Sequence, residues 1–190
     1  MMNQINRIKQ NIDYVDWKDK FSAGISILGG EVYFVQDKDL QDNYLELIDI
    51  IIEKILKVSP HPRVQYSTVT NGIYDPTFLF KVVDKIANQV GMERVDVNFS
   101  YDFKYRFHSE EARKQCLENI NKFHERYNYR VGVQMILTQY VIDAVLSGQL
   151  DINEFMEKEM PGNIITFLYP HKIHTGKTLP DFYFKRGDFL

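Results

Sequence analysis

The sequence predicts an α/β fold built on a mainly parallel sheet. Three observations carry that expectation: five short segments rich in branched apolar residues, amphipathic stretches between them, and turn residues at the junctions. The segments are residues 23–28, 63–69, 94–100, 129–138 and 163–169, and all five read as buried strands. Strands that alternate with helical patterns need crossover connections, and crossovers build parallel sheets. A doubly wound sheet or an arc of a (β/α) barrel satisfies that order.

Each element has its own signal. Residues 1–21 are polar and mostly helical in pattern, and AGISIL (23–28) follows as the first strand. In residues 40–58, Leu40, Tyr44, Leu47, Ile48, Ile51, Ile55 and Val58 recur at steps of three and four, the spacing of one helix face. PHP at 60–62 ends that helix, and RVQYSTV (63–69) is the second strand. Asp75 reads as an N-cap with Pro76 at the first helical position, and Gly91 as the C-cap of TFLFKVVDKIANQV. After RVDVNFS (94–100), Ser109 with Glu110 and Glu111 starts a helix whose Ala112, Cys116, Ile120 and Phe123 share a face. YRVGVQMILT (129–138), a helix, the short helical INEFMEKEM and NIITFLY (163–169) complete the series. Residues 170–190 show no periodicity and read as an irregular tail packed by its aromatics.

The totals bound the function. A chain of 190 residues suits one domain, 1–190, and can bury roughly 70% of its unfolded surface. A formal charge of −3 gives no global field toward nucleic acid or anionic lipid. Cys116 is the single cysteine, which excludes an internal disulfide framework and a Cys-rich metal site. Residues 1–17 lack a signal-peptide core, and no stretch nears 18 uninterrupted apolar residues, so a cytoplasmic setting without a membrane is expected.

In either architecture functional groups gather at the carboxyl ends of the strands. Those ends read Gly29-Gly30-Glu31, Thr70-Asn71-Gly72, Ser100-Tyr101-Asp102, Thr138-Gln139 and Tyr169-Pro170-His171. Paired glycines let a backbone approach a ligand closely, and Glu31 beside them suits an ammonium group. Asn98 and Gln134 add polar groups inside strands, where a barrel interior or a neighbouring strand must satisfy them.

These residues resemble the radical S-adenosylmethionine (SAM) enzymes. ILGGEVYF resembles that family's GGEP stretch, where the acid and backbone hold the amino group of SAM. YSTVTNGIYD is similar to the next strand with its TNG end, VDVNFSYDF and the helix after it to the strand with Ser-x-Asp, and RVGVQMILT and NIITFLYP to the two that follow. The resemblance runs from about residue 23 to 171 and implies a partial (β/α) TIM-like barrel. It implies cofactor-binding roles for Gly29, Gly30, Glu31, Thr70, Asn71, Ser100, Asp102 and Thr138. Two departures stand out. Val32 replaces the usual proline, and no CxxxCxxC motif lies upstream of Ala23. A [4Fe–4S] cluster needs several thiolates, and one cysteine cannot hold it. The chain therefore looks like a barrel trimmed of its first unit and its end, with no catalytic or metal-binding residues of its own.

Other candidates are weaker. HTGKT (174–178) has His171 where a phosphate loop needs glycine. His171 and His174 lack a third metal ligand nearby in sequence, and His61 and His124 read as surface residues. His108 reads as solvated loop beside Asp102 and Arg106. Glu31, Asp75 and Asp102 are carboxylates whose spacing the sequence does not fix. FKYRF (103–107) and YFKRGDF (183–189) interleave basic and aromatic residues as an RNA-stacking surface does, or as residues covering a sheet edge do.

Two functional expectations follow. The favoured one is a non-catalytic interaction protein on a trimmed radical SAM scaffold, with a protein partner or a second copy covering the open barrel edge. Its Lys-, Asn-, Ile- and Tyr-rich composition suggests a phage or mobile element, with the chain inhibiting a host protein such as a defence nuclease. On that reading no cofactor is expected in the lone chain. The alternative is a SAM-binding fragment or subunit, completed by another chain that carries the cluster cysteines.

Overall fold

The computed structural model describes residues 2–11, 22–27, 31–58, 63–103 and 107–168. Five strands lie in one parallel sheet in the order β1-β2-β3-β4-β5: β1 (Ser22–Ile27), β2 (Arg63–Thr70), β3 (Val95–Tyr101), β4 (Gly132–Ile136) and β5 (Ile164–Leu168). Among the described residues six helices accompany them, with the last two both between β4 and β5: α1 (Met2–Asn11), α2 (Lys38–Val58), α3 (Thr77–Val90), α4 (Glu110–Tyr127), α5 (Gln139–Leu146) and α6 (Ile152–Glu159). The architecture is α/β, with the strand order of a partial TIM-like barrel. No described helix is long and apolar enough to cross a membrane.

The chain divides into two compact units, Met1–Thr70 with Tyr74–Val97 and Asn71–Ile73 with Asn98–Leu190. In the first, β1 and β2 pair in register from Ser22 opposite Arg63 to Ile27 opposite Thr68. Asp37 Oδ1 accepts from the Leu40 N–H at 3.0 Å, which satisfies an orphan donor and starts α2 two residues before the apolar pattern does. Tyr44, Leu47, Ile48, Ile52 and Ile55 form the buried stripe of α2. The expected stripe held Ile51 instead of Ile52; Ile51 is half-buried and Ile52 fully enclosed. Residues 50–52 are three successive isoleucines, so spacing alone does not choose among them. From α1, Ile5 is buried and Lys9 reaches Asn43 and Glu46 of α2. At the start of α3, Asp75 Oδ1 accepts from Thr77 N at 2.9 Å and Thr77 Oγ1 at 2.6 Å, with Pro76 in the cap position. Pro76, where Asp75 was expected, is the N-cap, and the helix begins one residue later; Asp75 ties the turn in front of it.

In the second unit Ser109 Oγ accepts from Ala112 N at 3.2 Å and opens α4 as expected. Ala112, Cys116, Ile120 and Phe123 are all buried, and Phe123 meets Phe99 of β3 edge-on at 6.1 Å. β3 and β4 pair from Asn98 opposite Gly132 to Tyr101 opposite Met135, and β4 and β5 from Gly132 opposite Ile164 to Ile136 opposite Leu168. One expectation fails here. The last strand is not buried: Ile164, Thr166, Phe167 and Leu168 are exposed and Ile165 is half-buried. Apolar content reports a need for cover, and β5 is an edge strand paired only with β4 among the described residues.

Replacement of Ile52 by alanine should destabilise the chain by about 2–5 kcal/mol, and of Ile51 by about 1 kcal/mol or less. Urea unfolding of the two variants checks the assignment of the stripe.

Candidate functional site

In the first unit the chain leaves β1 through Gly29 and Gly30, which lie outside the described residues, and reaches Glu31. A 3-10 turn follows, Val32–Phe34, closed by Phe34 N–H donating to Glu31 O at 3.4 Å. Valine in place of proline therefore still permits the turn. What fixes it is Tyr33, whose side chain enters the core with 5% exposure. Its hydroxyl donates to Thr68 Oγ1 at 2.8 Å and so accepts from the Tyr66 hydroxyl at 2.6 Å; the Tyr44 hydroxyl lies 3.5 Å from that of Tyr66. Tyr66 and Thr68 sit two apart on β2 and share a face, so one strand presents both partners.

This chain of hydroxyls bolts the turn after Glu31 to the neighbouring strand. Glu31 gains a direct tie as well, because Thr70 Oγ1, at the carboxyl end of β2, donates to Glu31 Oε1 at 2.8 Å. Thr70 is 4% exposed and Glu31 half-buried, so the carboxylate is oriented while remaining reachable. A cleft of about 380 Å³ opens beside the turn, lined among others by Tyr33, Phe34, Gln41, Tyr74, Asp75 and Lys81. The Phe34 and Tyr74 rings stack there at 3.9 Å between centroids.

Burial pushes the phenols of Tyr33, Tyr44 and Tyr66 well above the ordinary tyrosine value. In the folded chain they keep their protons where an unfolded chain would lose them. The stability they carry is therefore whole below about pH 10 and falls as pH rises further. Urea midpoints followed from neutral pH to beyond 10 should show this decline, and Tyr66→Phe should flatten it.

The second unit holds the other predicted residues. Asn71 Oδ1 accepts from Ile73 N–H at 3.2 Å, which shapes the Thr-Asn-Gly turn. Gly72 has φ +65°, and a Cβ there would lie 2.6 Å from Phe99 Cδ1 and 3.3 Å from Cys116 Sγ. Its carbonyl accepts from Asn119 Nδ2 at 2.7 Å, and Asn119 in turn accepts from Gln115. The turn is thus pinned against α4 by a buried amide, Asn119, that the sequence pattern does not single out. Ser100 and Asp102 end β3 with 6% and 4% exposure. Thr138 Oγ1 caps α5 by accepting from Val141 N–H at 3.4 Å.

Along β3 and β4 the odd-numbered residues Phe99, Tyr101, Val133 and Met135 are fully buried. The even-numbered ones form a polar row in register: Asn98 beside Gly132, then Ser100, Gln134 and Thr166 side by side. Asn98 lies so flat that a Cβ on Gly132 would sit 2.1 Å from its Oδ1. Phe103 and Phe107 pack on Tyr101 at 5.4 Å each, joined by Phe155. His124 Nδ1 bonds the Tyr129 carbonyl at 2.9 Å, a half-buried structural role where a surface residue was expected. His108 is exposed, while His61, His171, His174, HTGKT and YFKRGDF lie outside the described residues.

Among the described residues no cluster of three or more His, Cys, Asp or Glu side chains could hold a metal ion. Cys116 is wholly buried on α4. With one cysteine in the sequence, and that one buried, the residues of this chain do not fit a [4Fe–4S] cluster.

No family model matches the chain, and no curated protein does. Among solved structures it is similar to native anSMEcpe with bound AdoMet and Kp18Cys peptide, a radical SAM enzyme, with a TM-score of 0.50 and 14% identity. The match covers 92% of this chain and 46% of that one, so the chain spans about half the length of its structural neighbour. At that identity the likeness is one of architecture.

Gly72→Ala should cost about 2–4 kcal/mol, from left-handed strain together with overpacking against Phe99. Thermal unfolding of the variant measures it.

Proposed function

We propose that this chain is a SAM-binding scaffold that generates no radical by itself and acts with another macromolecule. The observation that carries the reading is the Glu31 carboxylate held by Thr70 at 2.8 Å, at the carboxyl ends of adjacent parallel strands. A fixed carboxylate suits the ammonium group of an amino-acid ligand, through a charge-assisted hydrogen bond. The fold supports the same ligand, since the similar solved structure carries AdoMet. Glu31 would bind the amino group and Thr70 would orient Glu31, while Gly29 and Gly30 would admit the ligand close to the backbone.

Reductive cleavage of SAM requires an electron from an iron–sulfur cluster. The single buried cysteine supplies no such centre. A protein partner either brings the missing thiolates or is itself the target that the scaffold binds.

Titration calorimetry with SAM should give a saturable heat. Glu31→Gln removes the charge and should weaken binding about 10- to 100-fold, as expected for one charged hydrogen bond. Circular dichroism of that variant should match the unmodified chain. Absence of binding by the unmodified chain would sink the SAM reading.

A further inference from the structure

β5 stands at the edge of the sheet with an uncharged sequence, Ile164-Ile165-Thr166-Phe167-Leu168, and four of its five side chains are exposed. Chains normally blunt such an edge with charge, proline, a bulge or a cover. None of the first three is present in Gly162–Leu168.

The backbone sets what could pair there. Ile164 N–H donates to Val131 O at 3.0 Å, and Leu168 O accepts from Leu137 N–H at 2.9 Å. Even-numbered residues thus turn their backbone groups toward β4. By alternation Ile165 and Phe167 turn theirs to the far side, where no described strand lies.

We propose that β5 is a self-docking edge, through which two copies of this chain pair antiparallel about a two-fold axis at Thr166. An isologous interface must complement itself. Centred on Thr166, the pairing sets Ile165 opposite Phe167, Ile164 opposite Leu168 and Thr166 opposite its own copy. The outward N–H and C=O groups of Ile165 and Phe167 then meet as hydrogen-bonded pairs. Every facing side-chain pair is apolar or threonine with threonine, the combinations that stabilise antiparallel ladders, and no charge faces its like. A slip of one residue would set outward-facing groups opposite inward-facing ones, and centring the pair on Ile165 would set Phe167 opposite Asn163 and Leu168 opposite Gly162, so the Thr166 centre is the one that keeps apolar residues facing each other.

Sedimentation velocity over a range of protein concentrations tests the proposal, with Thr166→Lys and Thr166→Glu as probes. Thr166 is exposed and its backbone serves β4, so each variant should fold, which thermal melting verifies. The unmodified chain should reach a dimer, and each variant alone should remain a monomer at the same concentration. An equimolar mixture of the two should recover the dimer, because lysine then faces glutamate across the axis. A monomeric unmodified chain overturns the proposal, leaving residues 169–190 or a foreign strand as the cover. A dimer indifferent to both substitutions, or variants that fail to rescue each other, also overturns it. SAM binding is measured separately and does not bear on these outcomes.

Discussion

In a parallel strand successive side chains point to opposite faces, and the four best-covered strands of this chain use that alternation in one way. Ile25 of β1, Tyr66 and Thr68 of β2, Phe99 and Tyr101 of β3, and Val133 and Met135 of β4 are buried. Ring contacts tie this set to helices: Tyr101 lies 5.6 Å from Phe155 of α6, and Phe99 6.1 Å from Phe123 of α4. The residues between them are largely polar, with Ser26 opposite Ser67, and Ser100 opposite Gln134. Within each unit the strands therefore turn buried residues to one face and largely polar residues to the other. An all-parallel sheet covered on both sides would instead show apolar residues in every position.

The same constraint shapes the strand ends. Because Tyr66 and Thr68 fall on the dry side, their hydroxyls need partners, and Tyr33 and Tyr44 supply them. Buried polar groups left unpaired would cost about 1–3 kcal/mol each. Meeting that demand places Tyr33 in the core, within the 3-10 turn Val32–Phe34. Glu31 is thereby set at the carboxyl end of the sheet, facing Thr70. A requirement of packing and a feature of the proposed ligand site are met by one local arrangement.

Much of this was legible in the sequence, for physical reasons. Alternating strand and helix patterns announced the parallel sheet, and Ser109 announced the start of α4, because both signals are local. Glu31 and Thr70 stood out as strand-end residues, although their mutual hydrogen bond joins positions 39 apart. The tyrosine chain went unread for the same reason, since Tyr33 and Tyr66 are far apart in sequence. A signal existed: Tyr66, Thr68 and Thr70 place three hydroxyls at alternate positions of one strand, which calls for polar partners on that face. Ile52 and β5 were misjudged where composition was uniform. Three isoleucines in a row hide the phase of a helix, and an apolar strand does not say whether its neighbour belongs to the same chain.

The most direct measurement of the central claim is a crystal structure of the chain grown with SAM. The account predicts the ligand's amino group within hydrogen-bonding distance of the Glu31 carboxylate, with Thr70 still donating to that side chain. SAM seated elsewhere, or a strand end that excludes it at saturating concentration, would contradict the account.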